Sequence, residues 1–239
     1  MPDFSFGSPT LSALEATAFW SAITIAGYLL ARFVHRRMDQ WWTTPLLLAP
    51  VAVGAVALSL DAGYARYASS THWLMLMLGP ATVAFAIPIY AQRVLIRRYW
   101  PVLLVGVMVG SAIAMGTAFL LASMLDLPES LRLSLMPRST STPFAMTVSG
   151  DIGGIPDLTA VFVILTGICG AALGDVLMKL MRLRTPMARG ALLGMGAHGA
   201  GVARAHRIGG EEGSIAGLVM VMAGLFNVLM APVVATLLH

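Results

Sequence analysis

Charge is scarce in this chain: Asp, Glu, Lys and Arg make up only 11% of its 239 residues, while 58% are hydrophobic. No segment has the polar make-up of a soluble domain, so residues 1–239 read as a single integral membrane domain. Cysteine is nearly absent. Cys169 stands alone, which excludes an internal disulfide, and beside Gly170 it reads as a small packing residue. No Cys, His or carboxylate partners stand at ligand spacing, so neither a metal nor another cofactor is expected. There is also no Ser/His/Asp grouping, no phosphate loop and no carboxylate dyad inside an apolar stretch, so an enzyme is not expected. Residues 1–20 lack the basic start of a signal peptide and the Arg-rich character of a transit peptide, so the first apolar segment is expected to stay as a helix. The net charge is +4, but no aromatic-basic patch accompanies it, and nucleic acid is set aside as a partner.

What the chain has in abundance is apolar length. Mean hydropathy is +0.82, and stretches of roughly the 20 residues that cross a bilayer run near 12–34, 44–61, 73–91, 101–124, 156–179 and 213–238. Two further stretches, 137–155 and 187–210, are apolar but crowded with Gly, Pro, Ser or Thr. Interrupted segments of this kind fold as half-helices or re-entrant hairpins. The expected fold is all-α, with about six full crossings plus two re-entrant hairpins.

Basic residues test this arrangement. With six crossings and two hairpins, Arg32, Arg36, Arg37, Arg93, Arg97, Arg98, Lys179, Arg182, Arg184, Arg189, Arg204 and Arg207 share one side. Only Arg66, Arg132 and Arg138 lie opposite, so the 15 Lys and Arg divide 12 to 3. The richer side is cytoplasmic by the positive-inside rule, which places both termini outside, in the periplasm of a bacterial inner-membrane protein. The units 137–180 and 187–238 are then inverted copies of one plan, a hairpin followed by a long crossing, as in many secondary transporters. Residues 12–61 would serve as scaffold, and a homodimer or higher oligomer is expected. Trp20, Trp41, Trp42, Trp73 and Trp100 mostly fall at span ends, and PESLRLSLM (128–136) reads as a short surface helix.

The polar run Arg138, Ser139, Thr140, Ser141, Thr142, Pro143 is the first candidate site. Thr142–Pro143 has the form of a helix start, with a capping hydroxyl and a proline at the first helical position. Such an end attracts a small organic anion, above all a carboxylate, through its free amides. Alternatively, the hydroxyls only satisfy backbone at a helix break. In the second segment His198 lies among glycines, Gly196 and Gly199 included; it reads either as a proton or substrate group at membrane depth or as an interhelical hydrogen bond at a small-residue contact. Asn227 and Glu15 are weaker candidates. Pro80, with Gly79, interrupts the third span as a kink or as a third broken helix. Asp175 reads as a local i,i+4 pair with Lys179, and Glu211 and Glu212 as a solvated turn beside Arg204 and Arg207.

Three blocks carry a resemblance: LGPATVAFAIPIYAQ (78–92), PRSTSTPFAMTVSGDIGGIPDLTAVFVILTGICGAALG (137–174), and ARGALLGMGAHGAGVARA followed by EEG (188–213). They are similar to the LrgB/CidB family, whose bacterial members are described as holin/antiholin-like regulators of murein hydrolase export and cell death. The C-terminal half of the plastid glycolate/glycerate translocator is also similar. The resemblance implies a multi-pass membrane protein, a small LrgA/CidA-type membrane partner, and one of two functions. One is a secondary transporter of small monocarboxylates such as glycolate or glycerate, with His198 as proton carrier. The other is a holin- or antiholin-like regulator. Arg138 stands where the family commonly has Lys, and Gly150–Asp151 replaces its usual Glu-Gln.

Overall fold

The computed structural model describes residues 11–38, 40, 43–84 and 86–238; Trp41 and Trp42 lie outside them. Every regular element among these residues is helical, because an apolar chain in hydrocarbon must satisfy its own backbone. The chain divides into two compact units, Met1–Pro80 and Ala81–His239.

In the first unit, α1 (Leu11–Met38) packs on α2 (Pro45–Ser59) and α3 (Tyr64–Ser70). Trp20 is buried here, edge-on to Phe19 and Tyr67 at 5.4 and 5.5 Å. It is a core residue rather than an interfacial one. Trp73 donates to Ser21 Oγ at 2.8 Å. The expected second span is shorter than foreseen: α2 has 15 residues, and the chain then turns by 118° into α3. At this corner Asp61 has φ 50°, a left-handed conformation that aspartate tolerates.

The expected third span is divided into α4 (His72–Leu76), α5 (Leu78–Ala84) and α6 (Ala86–Ala91). Gly79 and Pro80 lie within α5, where proline removes a helical donor. Four described helices are long and apolar enough to cross a membrane: Ala13–Met38, Arg93–Met124, Pro156–Leu180 and Gly210–Leu237. A bent pair, α2 with α3, would make five, where the sequence led to six.

The second unit holds α7 (Arg93–Met124), α8 (Glu129–Leu135), a 3₁₀ turn (Met136–Ser139), α9 (Thr142–Asp151), α10 (Pro156–Leu180), α11 (Pro186–Ile208) and α12 (Gly210–Leu238). The first interrupted segment is a hairpin longer than 137–155. Its first limb is α8 plus the 3₁₀ turn, its tip is the extended pair Thr140–Ser141, and its second limb is α9. The limbs close at the base, where the Ile155 amide donates to Ser134 Oγ at 2.8 Å. Thr159 Oγ1 lies 3.0 Å from the Ser134 carbonyl and 2.7 Å from Ser149 Oγ. Residues 128–136 are therefore not a surface helix alone: Leu133 and Ser134 are buried.

The second interrupted segment also folds back on itself. α11 is broken at His198. A Cβ on Gly201 would collide with the carbonyl oxygen of Leu193, although eight residues of continuous helix would separate the two by about 12 Å. Leu193, Ala205 and Ala216 consequently share one buried cluster. Small residues permit this close packing. A Cβ on Gly194 would strike Ala216 on α12, and one on Gly170 would strike the Gly196 carbonyl.

α10 and α12 run past both hairpins. Near its start α10 meets the base of the first hairpin through Thr159. Near its end Asp175 accepts from Arg204 of the second hairpin, at 3.1 Å from Nε and 2.5 Å from Nη2. Asp175 thus joins two elements 29 residues apart instead of pairing with Lys179. α12 begins against the second hairpin, where Glu212 is buried rather than solvated and stands 3.9 Å from Arg189. It ends against the first hairpin, where Ala231 packs with Val148 and Ile152.

Gly201→Ala should lower stability by about 1–3 kcal/mol through overpacking. Gly116→Ala, at an open position on α7, should instead raise it by roughly 0.5–1 kcal/mol. Thermal unfolding of the detergent-solubilised chain, followed by tryptophan fluorescence, checks both; equal effects would contradict the folded-back hairpin.

Candidate functional site between the hairpin tips

The tips of the two hairpins touch. Ser139 Oγ, at the first tip, donates to the Met195 carbonyl at 3.1 Å, one turn before the second break. The ring of His198 in turn lies beside the backbone of Arg138, and its Nε2 has no hydrogen-bond partner among the described residues. The tips lie against the middle of α10, where a Cβ on Gly167 would be 3.4 Å from His198 Nδ1. They also lie against the middle of α12, where Asn227 Nδ2 donates to Thr140 Oγ1 at 3.0 Å.

The backbone at His198 is strained. Its φ of 39° and ψ of −120° match the first central position of a type II′ turn, which glycine normally fills. The chain places its glycine one residue later, at Gly199. Holding a histidine there costs about 1–3 kcal/mol.

A second oddity concerns satisfaction of polar groups. Thr140, Asn227 and His198 are 1%, 2% and 3% exposed. Around them Ser141 Oγ, His198 Nε2 and Asn227 Oδ1 are buried with no hydrogen-bond partner among the described residues. Each such group costs roughly 1–3 kcal/mol if left unpaired. Ser141 is the N-cap residue of α9 yet makes no capping bond, so a hydroxyl beside the positive end of a helix dipole stays free. The cap falls at Ser141, one residue before Thr142, and Pro143 follows within the first turn.

α7 supplies a residue that the sequence did not single out. Ser111 is buried and its Oγ has no partner among the described residues. It lies on the inward stripe Leu103, Val107, Ser111, Met115. One residue before it, Gly110 approaches Met195 of the second hairpin. One turn after it, Met115 packs with Leu133 and Met136 of the first. Ser111 therefore stands level with the tips. A four-residue spacing of buried positions marks its face, but a single serine in an apolar helix gives no further signal.

Of the residues singled out from sequence, Arg138, Ser139, Thr140, Ser141, His198 and Asn227 come together here. Thr142 and Pro143 begin the helix behind the tip, and Arg138 has no carboxylate partner among the described residues. Gly196 and Gly199 flank His198, exposed, with nothing within 4 Å of where a Cβ would stand. Pro80 lies exposed in α5 at the boundary of the two units. Glu15 lies exposed on α1. Among the described residues no three His, Cys, Asp or Glu side chains are grouped to hold a metal. The free groups comprise two hydroxyls, an imidazole nitrogen, an amide carbonyl and a helix N-terminus. Together they can accept and donate hydrogen bonds to a small polar anion.

Thr140→Val and Asn227→Leu should each destabilise by about 1–3 kcal/mol, because each strands the other's polar group. The double variant should recover at least about 0.5 kcal/mol of the summed loss. A double-mutant cycle on thermal unfolding checks this; strict additivity would contradict the buried pair.

Known proteins place the chain in a family. Residues 24–237 match the model of the LrgB-like family. The chain is 40% identical over 210 residues to YwbG, described as an uncharacterized protein of Bacillus subtilis (strain 168), covering 88% of this chain and 93% of that one. It is 30% identical to YxaC of the same organism, also uncharacterized, over 91% and 94% of the two chains. It is 31% identical to the antiholin-like protein LrgB of that organism, over 92% and 96%. No solved structure matches. The chain belongs to the LrgB-like family of membrane proteins.

Proposed function

We propose that this protein is a secondary transporter of small monocarboxylates, with the substrate bound between the two hairpin tips. The observation that carries the reading is the set of buried, unpartnered atoms Ser141 Oγ, His198 Nε2 and Asn227 Oδ1, gathered where the two broken segments meet. In this reading the carboxylate docks at the start of α9, drawn by the helix dipole and the Arg138 charge. Hydroxyls from 139–142, joined by Ser111, read a substrate hydroxyl such as that of glycolate or glycerate. His198 carries a coupled proton. The hairpins enter from opposite ends of α10 and α12, which supports an inverted pair, 137–180 and 187–238, that exposes the site alternately to each side. Placement in a bacterial inner membrane with both termini outside, assembly as a homodimer, and a small LrgA/CidA-type partner complete the proposal.

A second reading is favoured by one specific finding, the printed name of the 31%-identical antiholin-like relative. Here the protein restrains or forms a membrane lesion with its small partner and so regulates murein hydrolase export and lysis. The tip contacts would then rigidify the molecule rather than bind a solute.

The two readings separate in proteoliposomes loaded for uptake of labelled glycolate. The carrier predicts saturable uptake that is lost in Thr140→Val. It also predicts loss in His198→Gly, which removes the ring, relieves the strained backbone and should leave the melting temperature equal or higher. Leakage of dyes without saturation or size limit, unchanged in both variants, would overturn the carrier and favour the antiholin-like reading.

A further inference from the structure

A cavity lined by cationic side chains lies at the base of the second hairpin, where α10 ends and α11 begins. Its volume is about 460 Å³, within the usual range of about 300–1,000 Å³ for small-molecule sites. Five cationic side chains line it, Lys179, Arg182, Arg184, Arg189 and Arg204, against a single carboxylate, Asp175. Arg204 is held by Asp175. Arg189 donates from Nε to the Leu183 carbonyl at 3.0 Å and faces Glu212. Lys179, Arg182 and Arg184 have no carboxylate partner among the described residues. The cavity thus keeps a strong positive excess on a rigid frame.

The turn itself is unusual. The Leu183 amide donates to the Met178 carbonyl at 3.0 Å, and the Arg182 amide donates to the Lys179 carbonyl at 3.2 Å. This double closure is a Schellman motif, whose left-handed position favours glycine. Arg182 occupies that position with φ 51°. The corresponding turns after α2 and α7 carry aspartates, Asp61 and Asp126, which tolerate the conformation better than arginine does. The cavity sits at the C-terminal end of α10, one of the helices long and apolar enough to cross a membrane.

We propose that this cavity binds the phosphodiester headgroup of an anionic phospholipid, with its acyl chains in the hydrocarbon that surrounds α10. Guanidinium groups match phosphate oxygens in pairs, and basic pockets at the membrane surface are suited to anionic headgroups. The cavity's place at the end of a membrane-crossing helix is what favours a lipid over free phosphate. Because Arg204 also clasps α10 to the second hairpin, an occupied cavity would brace that hairpin at its base. The inference holds whichever reading of the tip site stands.

Native mass spectrometry of the full chain in neutral detergent tests it, with phosphatidylglycerol, phosphatidylcholine and inorganic phosphate as probes. Phosphatidylglycerol should bind at least about tenfold tighter than phosphatidylcholine. The double variant Arg182→Gly, Arg184→Gln should weaken it by roughly thirtyfold, at one cation's worth of surface attraction per residue. Glycine suits the left-handed turn, so the melting temperature should not fall, and loss of binding cannot be ascribed to misfolding. Arg36→Gln with Arg37→Gln, at the end of α1, should leave binding unchanged. Equal binding of the two lipids, or equal weakening by both double variants, would overturn the site. Displacement of phosphatidylglycerol by inorganic phosphate at equal affinity would overturn the lipid assignment in favour of a soluble phosphate.

Discussion

Two chain breaks inside an apolar layer can persist only if their backbone groups find partners there, and in this protein the tip of the first hairpin supplies one to the second. Ser139 donates across to the Met195 carbonyl, and the His198 ring meets the Arg138 backbone. This contact between the tips fixes how far each segment enters and therefore where the unpartnered groups Ser141, His198 and Asn227 gather.

Packing makes the exchange possible. Gly170 on α10, and Gly194 and Gly201 within α11, let backbones approach at distances that any Cβ would obstruct. The clasp between Asp175 and Arg204 holds the second hairpin at its base, while Ser134, Ser149 and Thr159 do so for the first. Bases are thus well satisfied and tips are not. The strain at His198 and the free polar atoms are concentrated at the end of each hairpin, where a ligand or a moving element would act.

Much of this was legible in the sequence. Four long apolar runs form α1, α7, α10 and α12, since length and hydropathy suffice for an unbroken span. The interrupted runs were legible because Pro137, Pro143, Gly196 and Gly199 oppose a continuous helix. Other features depend on tertiary contacts that no local pattern encodes. Glu129 and Arg132 among leucines imitate a surface helix, although Leu133 and Ser134 face the interior of a hairpin limb. Asp175 has a lysine four residues away but bonds an arginine 29 residues on. Trp20 looks like an interfacial anchor and instead fills a core beside Tyr67. Ser111 carries no sequence signal at all, because only its level along α7 gives it meaning.

The meeting of the tips is most directly tested by a cross-link. Cysteines at Ser139 and Met195, in a Cys169→Ala background, would be oxidised or bridged with a short bifunctional thiol reagent in membranes. Trypsin would then cut at the exposed Arg182–Arg184 turn to separate the two hairpins. The structure predicts that the fragments stay joined and part only on reduction. Fragments that separate without reductant, when both cysteines are shown to react with the reagent, would contradict the account.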